Sequence, residues 1–300
     1  MALTPNYTVI GASHHDHHIQ LQGPARMHRT NMASSAVGPG GVAANIARHL
    51  AYAIAQDRST RGQRPHFIGV CGHAQHHEAM AAFARWQIRP HLIAMAGETP
   101  SYTAIIDADG DLVIGAANMA LYDQVSIDEI CAHLPRAGVV VLDANFPAAV
   151  LQAIAAALPV AVSLFAAGTS VDKVARLNPL LARLDGIVMN RAEAELLVGT
   201  ASLPEMARVT ASRIRSRGFV LISDADRDAV LAMGDLVVSA TPPQIVPKNV
   251  NGAGDAMAAR LFRLFGSGEI ARPVTEDGLT HAVKAAVAAG AEYAAGEVSD

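Results

Sequence analysis

The chain has 300 residues, 51% of them apolar and only 4% aromatic, enough to bury a large core as one big domain or a domain with a small appendage. Its net charge of −4 offers no basic surface to nucleic acid or an anionic membrane, and no apolar run reaches membrane-spanning length. Two well-separated cysteines, Cys71 and Cys131, exclude a disulfide framework; with no basic-then-apolar leader at the start, they point to a reducing, cytoplasmic setting.

Residues 7–11 form a short apolar run ending at glycine, the pattern of a buried first strand. His14, His15, His17 and His18 follow around Asp16. Imidazole and carboxylate suit zinc or copper. On an extended chain, however, neighbouring side chains point to opposite sides, and such a run cannot close one tetrahedral shell. Asp16 matters more for its place just past the first strand, where open α/β sheets bind ligands. Residues 19–37 are polar and partly alternating, as expected of short strands outside the main sheet. Gly38-Pro39-Gly40-Gly41 then feeds a helix carrying Asn45 about one turn in. Small residues there let a polyhydroxylated ligand lie against the backbone, with Asn45 as donor and acceptor.

Residues 65–72 read as the next buried strand and 73–88 as a helix. Residues 103–106 and 112–114 flank Asp-Ala-Asp-Gly and read as a β-hairpin. Thr99, Ser101, Tyr102 and Asn118 flank it. No helix follows to cover it, so with residues 12–37 it forms a small projecting sheet. From 120 the pattern is regular. Helices are predicted at 126–134, 147–157, 171–183, 191–198 and 204–217. Strands are predicted at 138–143, 160–164, 186–189 and 219–223. Continuous apolar strands alternating with helices predict a doubly wound, mainly parallel sheet covered on both faces. Asp143, Asn145, Asn190, Ser223 and Asp224 gather just after strand ends, the functional edge of such a sheet. Asn190 and Glu193 fit either a helix cap or a site facing Mg²⁺ held largely by water and phosphate. Residues 231–238 and 244–246 read as edge strands.

Residues 249–262 read Asn-Val-Asn-Gly-Ala-Gly-Asp-Ala-Met-Ala-Ala-Arg-Leu-Phe. Gly252, Ala253 and Gly254 present backbone amides with little or no side chain, and a helix is predicted from near Asp255. Amides at a helix start form an anion cradle, and Asp255 stands beside it as a base for a hydroxyl. That pairing is what phosphoryl transfer to an alcohol requires. A last helix is predicted at 276–295, its small residues leaving room for close packing or for a flat ring.

In their order and spacing, Asp16, Gly40-Gly41 with Asn45, the hairpin, Asn190 with Glu193, and Gly252–Asp255 resemble the PfkB/ribokinase family of carbohydrate and nucleoside kinases. The resemblance covers nearly the whole chain. It implies a ribokinase-like α/β fold over residues 1–300, with lid segments at about 12–36 and 95–119. It implies ATP and Mg²⁺, a small sugar or nucleoside acceptor, and a homodimer formed through the lid. Asp255 would be the catalytic base and Gly252, Ala253 and Gly254 the phosphoryl cradle. Asp16, Gly40, Gly41, Asn45, Tyr102 and Asn118 would bind the sugar. Asn190, Ser223, Asp224, Asn251 and the cradle would border the nucleotide, with Asn190 and Glu193 ordering Mg²⁺. Segments such as 249–257 resemble a nucleoside-phosphorylating subgroup. Alternatives are a ribose-, adenosine- or fructose-type kinase and a non-catalytic sugar-binding relative.

Three departures stand out. Asn249 and Asn251 replace the usual Asp-Thr-x of the Gly-Ala-Gly-Asp segment. An aspartate at the first place helps organise a monovalent-cation site, so K⁺ dependence stays open. Asp224-Ala-Asp-Arg-Asp228 replaces a Gly-x-x-Gly near the ATP phosphates. Phe165-Ala-Ala-Gly stands where Asp-Pro follows a strand.

Overall fold

Continuous apolar segments set the architecture. In the computed structural model, which describes residues 6–60, 62–248, 250–270 and 273–297, β1 (Tyr7–Ile10) is buried along its whole length. Next come β2 (His14–Leu21), β3 (Ala33–Gly40), α1 (Val42–Gln56), β4 (His66–Gly72), α2 (His76–Arg85), β5 (Arg89–Met95), β6 (Ser101–Ile106) and β7 (Leu112–Asn118). The regular half continues with α3 (Ile127–Cys131), β8 (Val139–Asp143), α4 (Ala148–Ala157), β9 (Ser163–Ala167), α5 (Val171–Val174), β10 (Gly186–Asn190), α6 (Arg191–Val198) and α7 (Leu203–Arg213). It closes with β11 (Phe219–Ser223), β12 (Ala229–Met233), β13 (Leu236–Ala240), α8 (Ala253–Gly266) and α9 (Glu276–Ala294).

Nine strands form one sheet in the order β13-β12-β11-β10-β9-β8-β1-β4-β5, parallel except at β12 and β13. Alternation along each strand divides the core in two. Val139 and Val141 of β8 pack with α1, α8 and α9, while Val140 and Leu142 pack with α4 and α7. This is a doubly wound sheet with helices on both faces. A separate four-stranded sheet, β3-β2-β6-β7, stands beside it. No helix among the described residues is long and apolar enough to cross a membrane.

Several boundaries differ from the sequence reading. The strand expected at 160–164 lies at Ser163–Ala167, because Val162 N–H closes a turn onto the Pro159 carbonyl and Val160 is exposed. Phe165–Ala167 are therefore inside β9, and Gly168 is the residue that follows it. β5 is a strand the sequence reading missed. It carries Pro90, which a sheet tolerates at an edge, and β5 is the edge strand. Residues 231–238 divide into β12 and β13 around a two-residue Gly234-Asp235 turn, and 244–246 are not a strand. Helix 171–183 is one short α-turn followed by a 3₁₀ segment containing Pro179. Gly38–Gly40 end β3 rather than forming a loop. The helix of the Gly-Ala-Gly-Asp segment begins at Ala253, two residues early. Asn249 lies outside the described residues.

Candidate active site

The loops after the parallel strands converge at one edge of the large sheet, and Asp143 organises them. It is fully buried at the end of β8. Its Oδ2 accepts from the amides of Ala12 and Ala43 at 3.0 and 3.1 Å and from Asn145 Nδ2 at 2.8 Å. One carboxylate thus ties the end of β1 to the start of α1.

Gly41 caps α1, and its carbonyl accepts from Asn45 N–H at 2.9 Å. Asn45 faces across to α8, where its Nδ2 donates to Asp255 Oδ2 at 2.8 Å. Gly252 caps α8 at φ 97°, a left-handed conformation that favours glycine. Ala253 N–H is spent on the Val250 carbonyl. Gly254 and Asp255 follow Ala253 in the first turn of α8, where amides point out of the helix start. The Ala253 amide therefore takes no part in an anion cradle, which would fall to the Gly254 and Asp255 amides. Burial, partly offset by the Asn45 hydrogen bond and reinforced by Asp143, Glu193 and Asp16, lifts the Asp255 carboxyl to about 7. A carboxylate with that affinity accepts a proton near neutral pH.

Asp16 reaches the same region from β2, paired in register with Gly38 and Tyr102. Gly40 lies directly against its carboxylate: a Cβ there would sit 2.3–2.5 Å from Asp16 side-chain atoms. Tyr102 shares the Asp16 face of the small sheet, its hydroxyl over Gly115. Asn118 does not join them. It pairs with Ser101, on the opposite face, and its amide donates to Glu98. The histidines divide likewise, His14 and His18 on the Asp16 face and His15 and His17 on the other. Among the described residues no group of three or more His, Cys, Asp or Glu could hold a metal ion.

Asn190 and Glu193 form a reciprocal capping box on α6, each side chain accepting from the other's amide at 2.9 Å. The cap uses Glu193 Oε2 and leaves Oε1. Glu193 is 3% exposed and burial raises its carboxyl, so a cation beside it would relieve the desolvation. Glu193 therefore fits an Mg²⁺ site by chemistry as well as a cap. Ser223 pairs with Asn190 at the neighbouring strand end. Asp224 is neutralised by Arg191 at 3.1 Å and Arg227 at 3.7 Å. Its charge therefore does not face the site unopposed, which removes the motive for a non-catalytic reading. Asn251 is exposed in the turn before α8.

Two features go beyond the sequence reading, which left room for a flat ring beside the last helix without naming its lining. A crevice of about 500 Å³ lies between the end of β13 and α9, lined by Ser239, Ala240, Thr241, Pro243, Lys284 and Val287. The lone lysine of α9 and the Thr-Pro-Pro after the strand were its signals. Lys173 Nζ donates to Asn145 Oδ1 at 2.7 Å, and burial lowers its pKa. A lysine in a helix gives no sign of such a contact.

Residues 13–295 match the pfkB family of carbohydrate kinases. Pseudouridine kinase of Escherichia coli (strain K12) is 27% identical over 270 residues, 85% of this chain and 80% of that protein. A carbohydrate kinase from Agrobacterium tumefaciens superposes with a TM-score of 0.75 at 25% identity, covering 96% of this chain and 90% of that one. Ribokinase from Thermotoga maritima gives 0.79 at 15% identity, covering 97% and 93%, which speaks for the fold.

Proposed function

The chain belongs to the pfkB family of carbohydrate kinases, phosphotransferases with an alcohol group as acceptor, and on that premise we propose an ATP- and Mg²⁺-dependent kinase. It phosphorylates a primary hydroxyl of a ribose-like nucleoside, pseudouridine in first place, giving pseudouridine 5′-phosphate. The likeness to pseudouridine kinase supports the acceptor. The observation that carries the mechanism is the Asn45–Asp255 hydrogen bond, which holds a carboxylate of raised pKa beside the start of α8.

Asp16, Gly40, Gly41 and Asn45 hold the sugar, with Tyr102 beside them. Asp255 takes the hydroxyl proton as the oxygen attacks the transferred phosphorus. The Gly254 and Asp255 amides and the positive end of α8 stabilise charge on the phosphoryl oxygens. Glu193 and Asn190 would hold Mg²⁺. The ion supplies neutralisation of phosphate charge. The crevice between β13 and α9, with Ser223 nearby in the sheet order, takes the nucleotide. The small sheet, segments 12–36 and 95–119, acts as a lid that excludes water. Its face away from Asp16 carries Val37 and Ile114, 63% and 56% exposed, and pairs two copies into a dimer. The two free cysteines suit a cytoplasmic enzyme.

A coupled ADP-release screen with pseudouridine, uridine, adenosine, ribose and fructose phosphates tests the acceptor. Pseudouridine should give the highest kcat/KM. A clear preference for a free sugar or a sugar phosphate would overturn the nucleoside reading.

A further inference from the structure

Asp16 Oδ1 is buried and makes no hydrogen bond, the one such side-chain atom among the described residues. His14 Nε2 stands 3.2 Å from it. The other ring nitrogen, Nδ1, lies 3.3 Å from the Tyr122 hydroxyl. Tyr122 is almost fully buried and donates its single hydroxyl proton to the Ser13 carbonyl at 2.9 Å. Burial, with the Asp143 charge next in effect, keeps that proton on the phenol. Toward His14 the Tyr122 oxygen can then only accept, so Nδ1 carries the first proton of the imidazole. In a singly protonated ring, Nε2 turns a lone pair toward Asp16 Oδ1. The contact becomes a hydrogen bond only when Nε2 is protonated too. Gly40 backs the carboxylate on the side of β3, so Asp16 has little room to turn away.

We propose that His14 is a positioning residue for the acceptor: with Nε2 protonated it donates to Asp16 Oδ1 and fixes the carboxylate, leaving Oδ2 for a substrate hydroxyl. The inference rests on the reading of Asp16 as a sugar-binding residue. Charged and titratable groups around the pair are few. Asp16 lies on the same strand, and Tyr122 comes from the 3₁₀ turn at residues 120–124. Asp143 and Cys71 stand beyond Tyr122, and Asp255 of α8 acts on Asp16 from across the site. Asp143 is already occupied by the Ala12, Ala43 and Asn145 donors and does not compete for the ring.

Acceptor KM should therefore be lower at pH 6 than at pH 8, because only the doubly protonated ring donates to Asp16 Oδ1. Between those values kcat should climb with ionisation of Asp255. His14→Asn offers an amide donor whose protonation does not change, and His14→Phe keeps a ring without a donor. With pseudouridine as acceptor, His14→Phe should raise KM about tenfold or more at pH 6 with kcat within about twofold. His14→Asn should recover most of that loss and hold KM flat from pH 6 to 8. A His14→Asn KM that tracks pH as wild type does, or a His14→Phe KM unchanged at pH 6, overturns the proposal. Wild-type enzyme that turns over no acceptor of the panel defeats the substrate reading instead. The ring is then read directly by long-range ¹H–¹⁵N correlation on wild type and Tyr122→Phe. A neutral His14 protonated at Nδ1, responding to loss of the Tyr122 hydroxyl, supports the inference. A neutral ring protonated at Nε2 refutes it.

Discussion

Asn45 Nδ2 donates to Asp255 Oδ2 at 2.8 Å, joining the first turn of α1 to the first turn of α8 across 210 positions of sequence. The bond stabilises the ionised carboxylate against the burial that raises it to about 7. The base form is the active one. In the wild type, log kcat should climb with unit slope below about pH 7 and level off above it. Asn45→Ala removes the group that lowers the pKa. The midpoint should then move up by about one unit, with the largest loss of kcat at low pH. A midpoint that stays in place or moves down in Asn45→Ala would show that Asn45 does not tune this group.

The same shift fixes a sign for stability. The Asp255 carboxyl binds its proton more tightly folded than unfolded, so its ionisation works against the folded state. The penalty is absent below about pH 4, grows as pH rises, and is complete above about 7. Asp255→Asn should melt like wild type at pH 4 and be more stable at pH 8, by about 1–3 kcal/mol after allowance for partial solvent access. Thermal denaturation at the two pH values checks this. Equal melting temperatures at pH 8 would contradict the raised pKa.

The sheet, both helical layers and the small second sheet were legible in the sequence because buried parallel strands are continuous apolar runs. β5 was hidden by Pro90, a residue that only an edge position accommodates. The strand at 163–167 was displaced because Val160 is apolar yet lies in a turn. Asp255, Asn45 and Asp16 stood out through the small residues beside them. Their partners did not. His14 meets Tyr122 across 108 positions and Asp224 meets Arg191 across 33, pairings fixed by the fold and invisible to local pattern. The family resemblance puts Asn118 with the sugar, whereas strand register turns it to the face opposite Asp16.

Glu193 serves the α6 cap whatever else it does, and Glu193→Gln separates the two roles. The Gln oxygen still accepts from Asn190 N–H, so stability should change by no more than about 0.5 kcal/mol. The Mg²⁺ concentration for half-maximal rate should rise about tenfold or more. An unchanged Mg²⁺ requirement would reduce Glu193 to a cap.

The exposed face of the small sheet should hold two copies together. Sedimentation is expected to give a dimer for wild type and a monomer for Val37→Asp, which places a charge among apolar neighbours. A wild-type monomer at micromolar concentration would rule out this interface.

Turnover of Asp255→Asn with ATP, Mg²⁺ and pseudouridine, measured alongside calorimetric binding of pseudouridine, tests the transfer chemistry most directly. The prediction is a fall in kcat of about 10²–10⁴-fold with binding retained. Near-wild-type kcat in this variant would contradict Asp255 as the base.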